Sequence, residues 1–319
     1  MARMIVTLTA HPALDRTIDL GAALQVGEVQ SALGAREDAG GKGINASRVV
    51  HAAGVATRAV LPLAPEDPFA AVLRASDVPV LPVAVTGHVR ANIAITSPSG
   101  QTTKINLPGT VPTAAEIAAL VEAVVGAAEH ARWLVLAGSL PPGTADDFYV
   151  EVIRAVRARW GAAAPRIAVD TSGAALRAVV ATGTPDLIKP NDDELAELVG
   201  EDFDDAADLS GAVLAAARRL VPAHAGAALV TLGAAGAVLV TAEGAWSAVP
   251  PPIRARSTVG AGDSSLAGYL LADSAGHGPA ECLRHAIRCG AAAASLPGTQ
   301  APAPTDLPSG DVPVRTLTP

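Results

Sequence analysis

The string Thr258-Val259-Gly260-Ala261-Gly262-Asp263 sets a carboxylate behind a glycine turn, at the start of an apolar run that reads as a helix. Gly260 and Gly262 carry no Cβ, so the backbone there can come close to a ligand. The amides of Ala261, Gly262 and Asp263 would stand at the helix N-terminus without internal acceptors, and the positive end of the helix dipole adds to their attraction for anions. A phosphoryl group in transfer spreads negative charge over its oxygens, while the neighbouring carboxylate can take the proton of an attacking hydroxyl. We therefore read Asp263 as a general base and Gly260, Ala261 and Gly262 as an anion hole. An ordinary aspartate pKa of about 3.9 would keep the base ionised at neutral pH. The competing reading is a helix cap, since Asp is a favoured N-cap residue.

Other clusters fit the two ligands of such a transfer. Ala39-Gly40-Gly41-Lys42-Gly43-Ile44-Asn45 is a glycine-rich loop running into a helical pattern that Asn45 is expected to open. It is not a Walker-type phosphate loop, which needs Ser or Thr after its lysine, whereas Gly43 follows Lys42. Gly40, Gly41, Lys42 and Asn45 are candidates for an acceptor site, a bare glycine turn being the alternative. Asp15, beyond the first strand, can accept hydrogen bonds from sugar hydroxyls or cap a turn. In a hairpin pattern Arg90 and Asn92 share a strand face, as do Lys104 and Asn106. Two cations and two amides there suit a phosphorylated sugar, or are plain surface residues. Ser139 sits at another strand's C-terminal edge. On the donor side Lys189, Asn191 and Glu194 can converge on a triphosphate with hydrated Mg²⁺, Asn191 and Glu194 reaching the metal through water. Thr231, Gly233, Ala234, Ala235 and Gly236 make a turn against which a nucleotide can lie, although they do not spell the dinucleotide fingerprint Gly-x-Gly-x-x-Gly.

These residues need a scaffold that gathers strand ends. Short β-branched runs at 3–8, 57–63, 134–137, 166–170, 187–191 and 227–232 alternate with helical patterns at 113–131, 147–160, 174–181, 193–199 and 279–296. A further short helix is expected over 65–75. Thr113 and Glu116 form a capping box at the start of one helix. The alternation predicts an α/β sandwich around a mostly parallel sheet, with ligands at the C-terminal strand ends. One main domain over 1–319 is expected, and the weak alternation over 17–38 reads as strands of a small, separate sheet. The Pro-rich stretch 298–319 reads as a tail that loses order toward its end.

Composition narrows the class. Of 319 residues, 50% are hydrophobic, enough for a large core. A formal charge of −8 without any basic run argues against nucleic acid as a partner. Lysine occurs only as Lys42, Lys104 and Lys189 among 23 lysines and arginines, and each lies in one of the clusters above. Cys282 and Cys289 read as small buried residues in a reducing compartment. The first apolar run, 4–10, is too short for a signal-peptide core, and no 18-residue uncharged apolar stretch occurs. A cytoplasmic protein with no membrane partner is expected.

Five motifs occur in a fixed order: Pro12-Ala13-Leu14-Asp15, Gly40-Gly41-Lys42-Gly43-Ile44-Asn45, Gly138-Ser139-Leu140-Pro141-Pro142-Gly143, Lys189-Pro190-Asn191-x-x-Glu194 and Thr258 to Asp263. Together they resemble the ribokinase-like sugar kinases of the phosphofructokinase-B type, in the subgroup of 1-phosphofructokinases and tagatose-6-phosphate kinases, with 1-phosphofructokinases the nearest. The resemblance implies an α/β/α sandwich with a small β-sheet lid, here about 10–38 and 80–110, closing over a phosphosugar, ATP and Mg²⁺ as cofactors, and a homodimer through the lid as a partner arrangement. Asp15, Gly40, Gly41, Asn45, Arg90 and Ser139 match family sugar-phosphate contacts, with Lys104 a weaker match. Lys189, Asn191, Thr231 to Gly236, Thr258, Gly262 and Gly290 match the ATP side. Conversion of fructose 1-phosphate to fructose 1,6-bisphosphate is the activity implied, with tagatose 6-phosphate, fructose 6-phosphate or a non-catalytic sugar-phosphate-binding regulator as alternatives. Three positions depart from the family pattern: His11 where Asn is common, Ser31 where a basic lid residue is frequent, and Leu107 where an acidic one is.

Overall fold

The computed structural model describes residues 4–203 and 208–318. Arg3, where the sequence places the start of the first strand, and Pro319, the end of the tail, lie outside the described residues. The chain begins with β1 (Ile5–Thr9), β2 (Ala13–Leu20), β3 (Ala32–Gly40), α1 (Lys42–Ala52), β4 (Thr57–Leu63), α2 (Phe69–Arg74) and β5 (Val80–Ala84). There follow β6 (Arg90–Thr96), β7 (Thr102–Asn106), α3 (Ala114–Ala127), β8 (Trp133–Ala137), α4 (Phe148–Trp160), β9 (Arg166–Asp170), α5 (Gly173–Thr182) and β10 (Leu187–Ile188). The last part comprises α6 (Asp192–Val199), α7 (Leu209–Leu220), β11 (Ala227–Thr231), β12 (Ala237–Thr241), β13 (Ala245–Ala248), α8 (Ala261–Ser274), α9 (Pro279–Ser295) and β14 (Val314–Leu317).

The large sheet runs β14-β13-β12-β11-β10-β9-β8-β1-β4-β5. It is parallel from β5 to β11, and β12, β13 and β14 extend it antiparallel. Strands buried on both faces read as unbroken apolar runs, and the pleat divides their side chains between two helix layers. Ile5, Trp133, Val135, Ala168 and Leu229 meet α1, α8 and α9. Val6, Leu134, Leu136, Ile167 and Val169 meet α3, α4 and α5, while Val230 and Val238 meet α6 and α7. The sandwich inferred from the alternation is the one observed. Among the described residues no helix is long and apolar enough to cross a membrane.

The lid is a second, four-stranded sheet in the order β3-β2-β6-β7. Two sequence expectations need correction here. The stretch 80–110 does not belong to the lid as a whole: β5 pairs with β4 at the edge of the large sheet, where Pro82 removes no interior ladder bond. Nor is the Pro-rich end a frayed tail, because β14 pairs with β13 and Val312 is fully buried. The alternation Val314-Arg315-Thr316-Leu317 is a short strand signal that the surrounding prolines mask. The short helix is also narrower than 65–75, starting at Phe69.

Helix α8 is held at both ends of its path. Near its middle Gly268 lets α9 approach, since a Cβ there would lie 2.8 Å from both Cys289 Sγ and the His285 carbonyl oxygen. At its far end Asp273 accepts hydrogen bonds from Trp133 Nε1 at 2.8 Å and Arg166 NH1 at 2.7 Å, and the Arg166 guanidinium stacks over the Trp133 ring at 4.2 Å. Gly126, exposed within α3, has nothing within 4 Å of a Cβ position. Urea unfolding should therefore separate two Gly→Ala changes. Gly268→Ala is expected to lose about 1–3 kcal/mol by overpacking, and Gly126→Ala to gain about 0.4–1 kcal/mol by restricting the unfolded chain. Equal effects would remove the close α8–α9 approach as a determinant of packing.

Candidate active site

Gly260 takes a left-handed conformation, φ 79°, and turns the chain into α8. Ala261 N–H donates to the Thr258 carbonyl at 3.3 Å, so one of the three amides read as free is engaged. Gly262 and Asp263 follow in the first turn, where helix geometry supplies no internal acceptor. Asp263 makes no cap hydrogen bond. Its carboxylate is 7% exposed and accepts from Asn45 Nδ2 at 2.8 Å. Asn45 does not open α1; that helix starts at Lys42 behind Gly41, and Asn45 lies one turn in, aimed across at α8. Gly41 adopts φ 137°, and a Cβ there would lie 2.6 Å from Thr9 Cγ2.

The sequence reading missed Asp170. It ends β9, is 1% exposed, and lies 2.7 Å from Lys42 Nζ and 3.2 Å from Lys189 Nζ. Two of the three lysines therefore meet on one buried carboxylate, and Lys42 also lies 3.8 Å from Glu194. A Cβ on Gly262 would touch Lys189 Nζ at 3.4 Å, which places that ammonium against the glycine turn. The available signal was an acid at the C-terminal end of a buried parallel strand, where ligands collect in such sheets.

The two acids diverge. Burial opposes the Asp170 charge, but Lys189 and Lys42 overcome it and hold the carboxyl below its usual range. Burial works against Lys42 as well, yet Asp170 and Glu194 raise its pKa above the ordinary lysine value. Asp263 moves the other way. Burial first and the Asp170 charge second push it up to about 6, against Asn45 and the two lysines, which favour the ionised form. The ordinary value expected from the sequence therefore gives way to a carboxyl poised close to neutrality.

The donor side opens at the ends of β10 and β11. Asn191 caps α6: Asn191 Oδ1 accepts from Glu194 N–H at 2.6 Å and Glu194 Oε2 from Asn191 N–H at 2.9 Å. Asn191 also bridges Thr231. Gly233–Ala235 form an exposed 3₁₀ turn, and Gly236, at φ 101°, brings its backbone against the Ala248 carbonyl. Gly290 packs where a Cβ would overlap Ser265 Oγ in the first turns of α8. No group of three or more His, Cys, Asp or Glu among the described residues has metal-binding geometry. The capping box engages Asn191 Oδ1 and Glu194 Oε2, and the remaining Glu194 oxygen, Oε1, faces Lys42 at 3.8 Å.

The residues read as acceptor contacts gather on the small sheet and the strand ends beside it. Asp15 Oδ1 accepts from Asn92 Nδ2 at 2.8 Å. Burial chiefly raises the Asp15 pKa, against the Asn92 hydrogen bond and the Arg90 charge. Gly40 stands where a Cβ would overlap that carboxylate. Arg90 NH2 is 3.5 Å from Ser139 Oγ, and the Gly138 turn presenting Ser139 is held by Tyr149 and Thr171 hydroxyls donating to the Gly138 carbonyl. Strand register puts Arg90 opposite Ala13 and Lys104 opposite Ala94, itself opposite Thr17. Arg90 and Lys104 share a face but stand roughly 13 Å apart along the strands, so Lys104 is not brought to Arg90. Ser31 and Leu107 are exposed.

Because the folded chain holds the Asp263 proton more tightly than an unfolded chain, this group contributes stability that is full below about pH 4 and lost as pH rises through about 6. Asp263→Asn is therefore expected to unfold later than the parent at pH 7.5, by about 1–3 kcal/mol, with the difference vanishing by pH 4. Thermal melts at the two pH values check this, and a variant less stable than the parent at pH 7.5 would refute the burial penalty.

The chain matches the model of the pfkB family carbohydrate kinases over residues 12–306. It is 35% identical to a 1-phosphofructokinase of Rhodobacter capsulatus, with 100% of each chain covered, and 32% identical to the ATP-dependent 6-phosphofructokinase isozyme 2 of Escherichia coli, with 93% of this chain and 94% of that one covered. Escherichia coli phosphofructokinase-2 in complex with substrates and products superposes with a TM-score of 0.84 at 31% identity, covering 96% of this chain and 97% of that one. The α/β sandwich and its small second sheet agree with these matches: the chain has the ribokinase-like fold and belongs to the pfkB family of carbohydrate kinases.

Proposed function

We propose that this kinase transfers the γ-phosphoryl group of ATP to the free primary hydroxyl of fructose 1-phosphate, giving fructose 1,6-bisphosphate. The observation that carries the reading is the Asp263 carboxylate, buried, oriented by Asn45 and set beside the Gly262 turn and Lys189. The acceptor's hydroxyl proton passes to Asp263 as its oxygen bonds to the γ-phosphorus and the bond to the ADP oxygen breaks. The Gly262 and Asp263 amides face the charge that develops on the transferring group, and Lys189 and Lys42 lie on its donor side. Glu194 Oε1 would hold Mg²⁺ through water, and the ion supplies neutralisation of the phosphate charge. Asn191 is assigned instead to a phosphate oxygen, and Thr231 with the 233–236 turn to the nucleotide. Asp15 and Asn92 take sugar hydroxyls, and Arg90 with Ser139 takes the phosphate the acceptor already carries.

The choice of fructose 1-phosphate leans on the 1-phosphofructokinases of Rhodobacter capsulatus and Xanthomonas campestris, at 35% and 34% identity, against 32% for the 6-phosphofructokinase. Fructose 6-phosphate and tagatose 6-phosphate are the rival acceptors. An intact base and both lysines speak against a non-catalytic regulator. Two free, buried cysteines fit work in the reducing cytoplasm. Ile18, Ile93, Ile95 and Ile105 line the lid face opposite Asp15, which supports a homodimer formed there.

Coupled ADP release across a panel of ketose phosphates is expected to give the highest kcat/KM with fructose 1-phosphate. Asp263→Asn should lose about 10²–10⁴ in turnover while still binding both substrates. Turnover of the variant at the parent rate would end the assignment of the base, and no ADP release with any sugar phosphate would end the kinase reading of the site. Light scattering is expected to show a dimer that Ile105→Arg dissociates; a monomeric parent removes the lid interface.

A further inference from the structure

His11 follows β1 and immediately precedes β2, which sets its ring beside Arg90 at the start of β6. Both ring nitrogens are buried without a hydrogen bond of good geometry, the Pro108 carbonyl lying near the ring, and Arg90 Nε is buried without a partner. Buried polar atoms are overwhelmingly paired, so three unpaired ones side by side call for a ligand or water. The loop after β7 passes directly over the ring: Gly109 has φ 79°, and a Cβ there would lie 2.8 Å from His11 Nε2 and 3.1 Å from Arg90 Cβ. A cavity of about 50 Å³ adjoins them, lined by His11, Gly87, Arg90, Thr110 and Pro141 among others. That room is on the scale of one or two waters, roughly 30 Å³ each, too small for a whole ketose, and the Glu116 side chain also lines it.

The ring is uncharged at neutral pH. Burial first, then the Arg90 charge, bring its pKa down to about 4, and the nearby Pro108 carbonyl only partly opposes them. A neutral imidazole offers one donor and one acceptor. Ser31 and Leu107, on the lid, bring no charge of their own; Arg90 is the cation acting on the ring, while Arg48 faces Asp38 and Asp15.

We propose that His11 determines acceptor specificity, its ring N–H donating to the terminal phosphate of the ketose phosphate that Arg90 also holds. The proposal rests on the assignment of the acceptor phosphate to Arg90. A ring donor from the β1–β2 connection and a guanidinium fork from β6 bracket the phosphate, so a sugar without that phosphate leaves His11 and Arg90 Nε unpaired and binds poorly.

The test compares the parent with His11→Ala, His11→Asn and Arg90→Lys, using fructose 1-phosphate, fructose 6-phosphate and unphosphorylated fructose. His11→Ala is expected to raise the KM for the preferred ketose phosphate by about ten- to a hundredfold, with the KM for ATP unchanged and kcat within about threefold. Preference for the phosphorylated sugar over fructose should shrink by the same factor. His11→Asn, which keeps a side-chain N–H, should recover part of the loss, whereas a purely structural role would leave the sugar preference intact. The rise in melting temperature on adding fructose 1-phosphate should fall in His11→Ala, a readout that needs no turnover. If Arg90→Lys weakens sugar-phosphate binding but His11→Ala stays within twofold of the parent, a buried water satisfies the ring and the proposal is overturned while the Arg90 assignment stands. If neither variant changes the sugar-phosphate constant, the phosphate lies elsewhere and both fall.

Discussion

Asp170 is a carboxylate almost without solvent, and its charge is tolerable only because Lys42 and Lys189 both reach it. Ions taken out of water cost several kcal/mol each unless they are assembled together, so the three groups form as a unit or not at all. They come from the end of β9, the first residue of α1 and the residue after β10. Their meeting fixes where α1 begins, and with it the turn that aims Asn45 at α8. It also settles a competition. Asp170 and Asp263 draw on the same two cations; Asp170 is nearer and stays ionised, and its remaining charge helps to raise Asp263. Two carboxyl groups in one site thereby acquire separate duties from environment alone.

Much of this was legible in the chain because local rules and the global fold agree. The Thr113–Glu116 capping box, the buried apolar strands and the glycine turn before Asp263 each have a short-range physical cause. What was illegible depends on pairs distant in sequence. Ile167-Ala168-Val169-Asp170 reads as a strand with a polar end, and nothing local says that lysines 128 residues earlier and 19 residues later will close on its last residue. The resemblance drew β5 into the lid, whereas it pairs with β4 at the edge of the large sheet, a position that tolerates Pro82. Asn45 looked like a helix opener because Asn often is one, but here the turn at Gly41 starts the helix and frees the amide for Asp263.

The lid divides its labour by face. Arg90, Asp15, Asn92 and Lys104 share one side, and Ile18, Ile93, Ile95 and Ile105 the other, a separation the two-residue period of the strands produces without any further device. The residues proposed for acceptor recognition therefore reside on thin strands at the rim, apart from the deep core beneath Asp263.

Helix α8 carries Asp263 in its first turn and Asp273 in its last, and Trp133 and Arg166 grip Asp273 from the floor of the sheet. A rod fastened at its foot makes the carboxylate at its head a fixed reference point. Lineages can thus revise the lid strand by strand, exchanging one sugar for another, without re-surveying the position of the base. Drift at Trp133, Arg166 or Asp273 is a different matter. It would tilt the post and displace the chemistry for every substrate at once, from a place no substrate touches, which makes the foot of α8 a poor site for innovation and a good one in which to look for silent loss of activity.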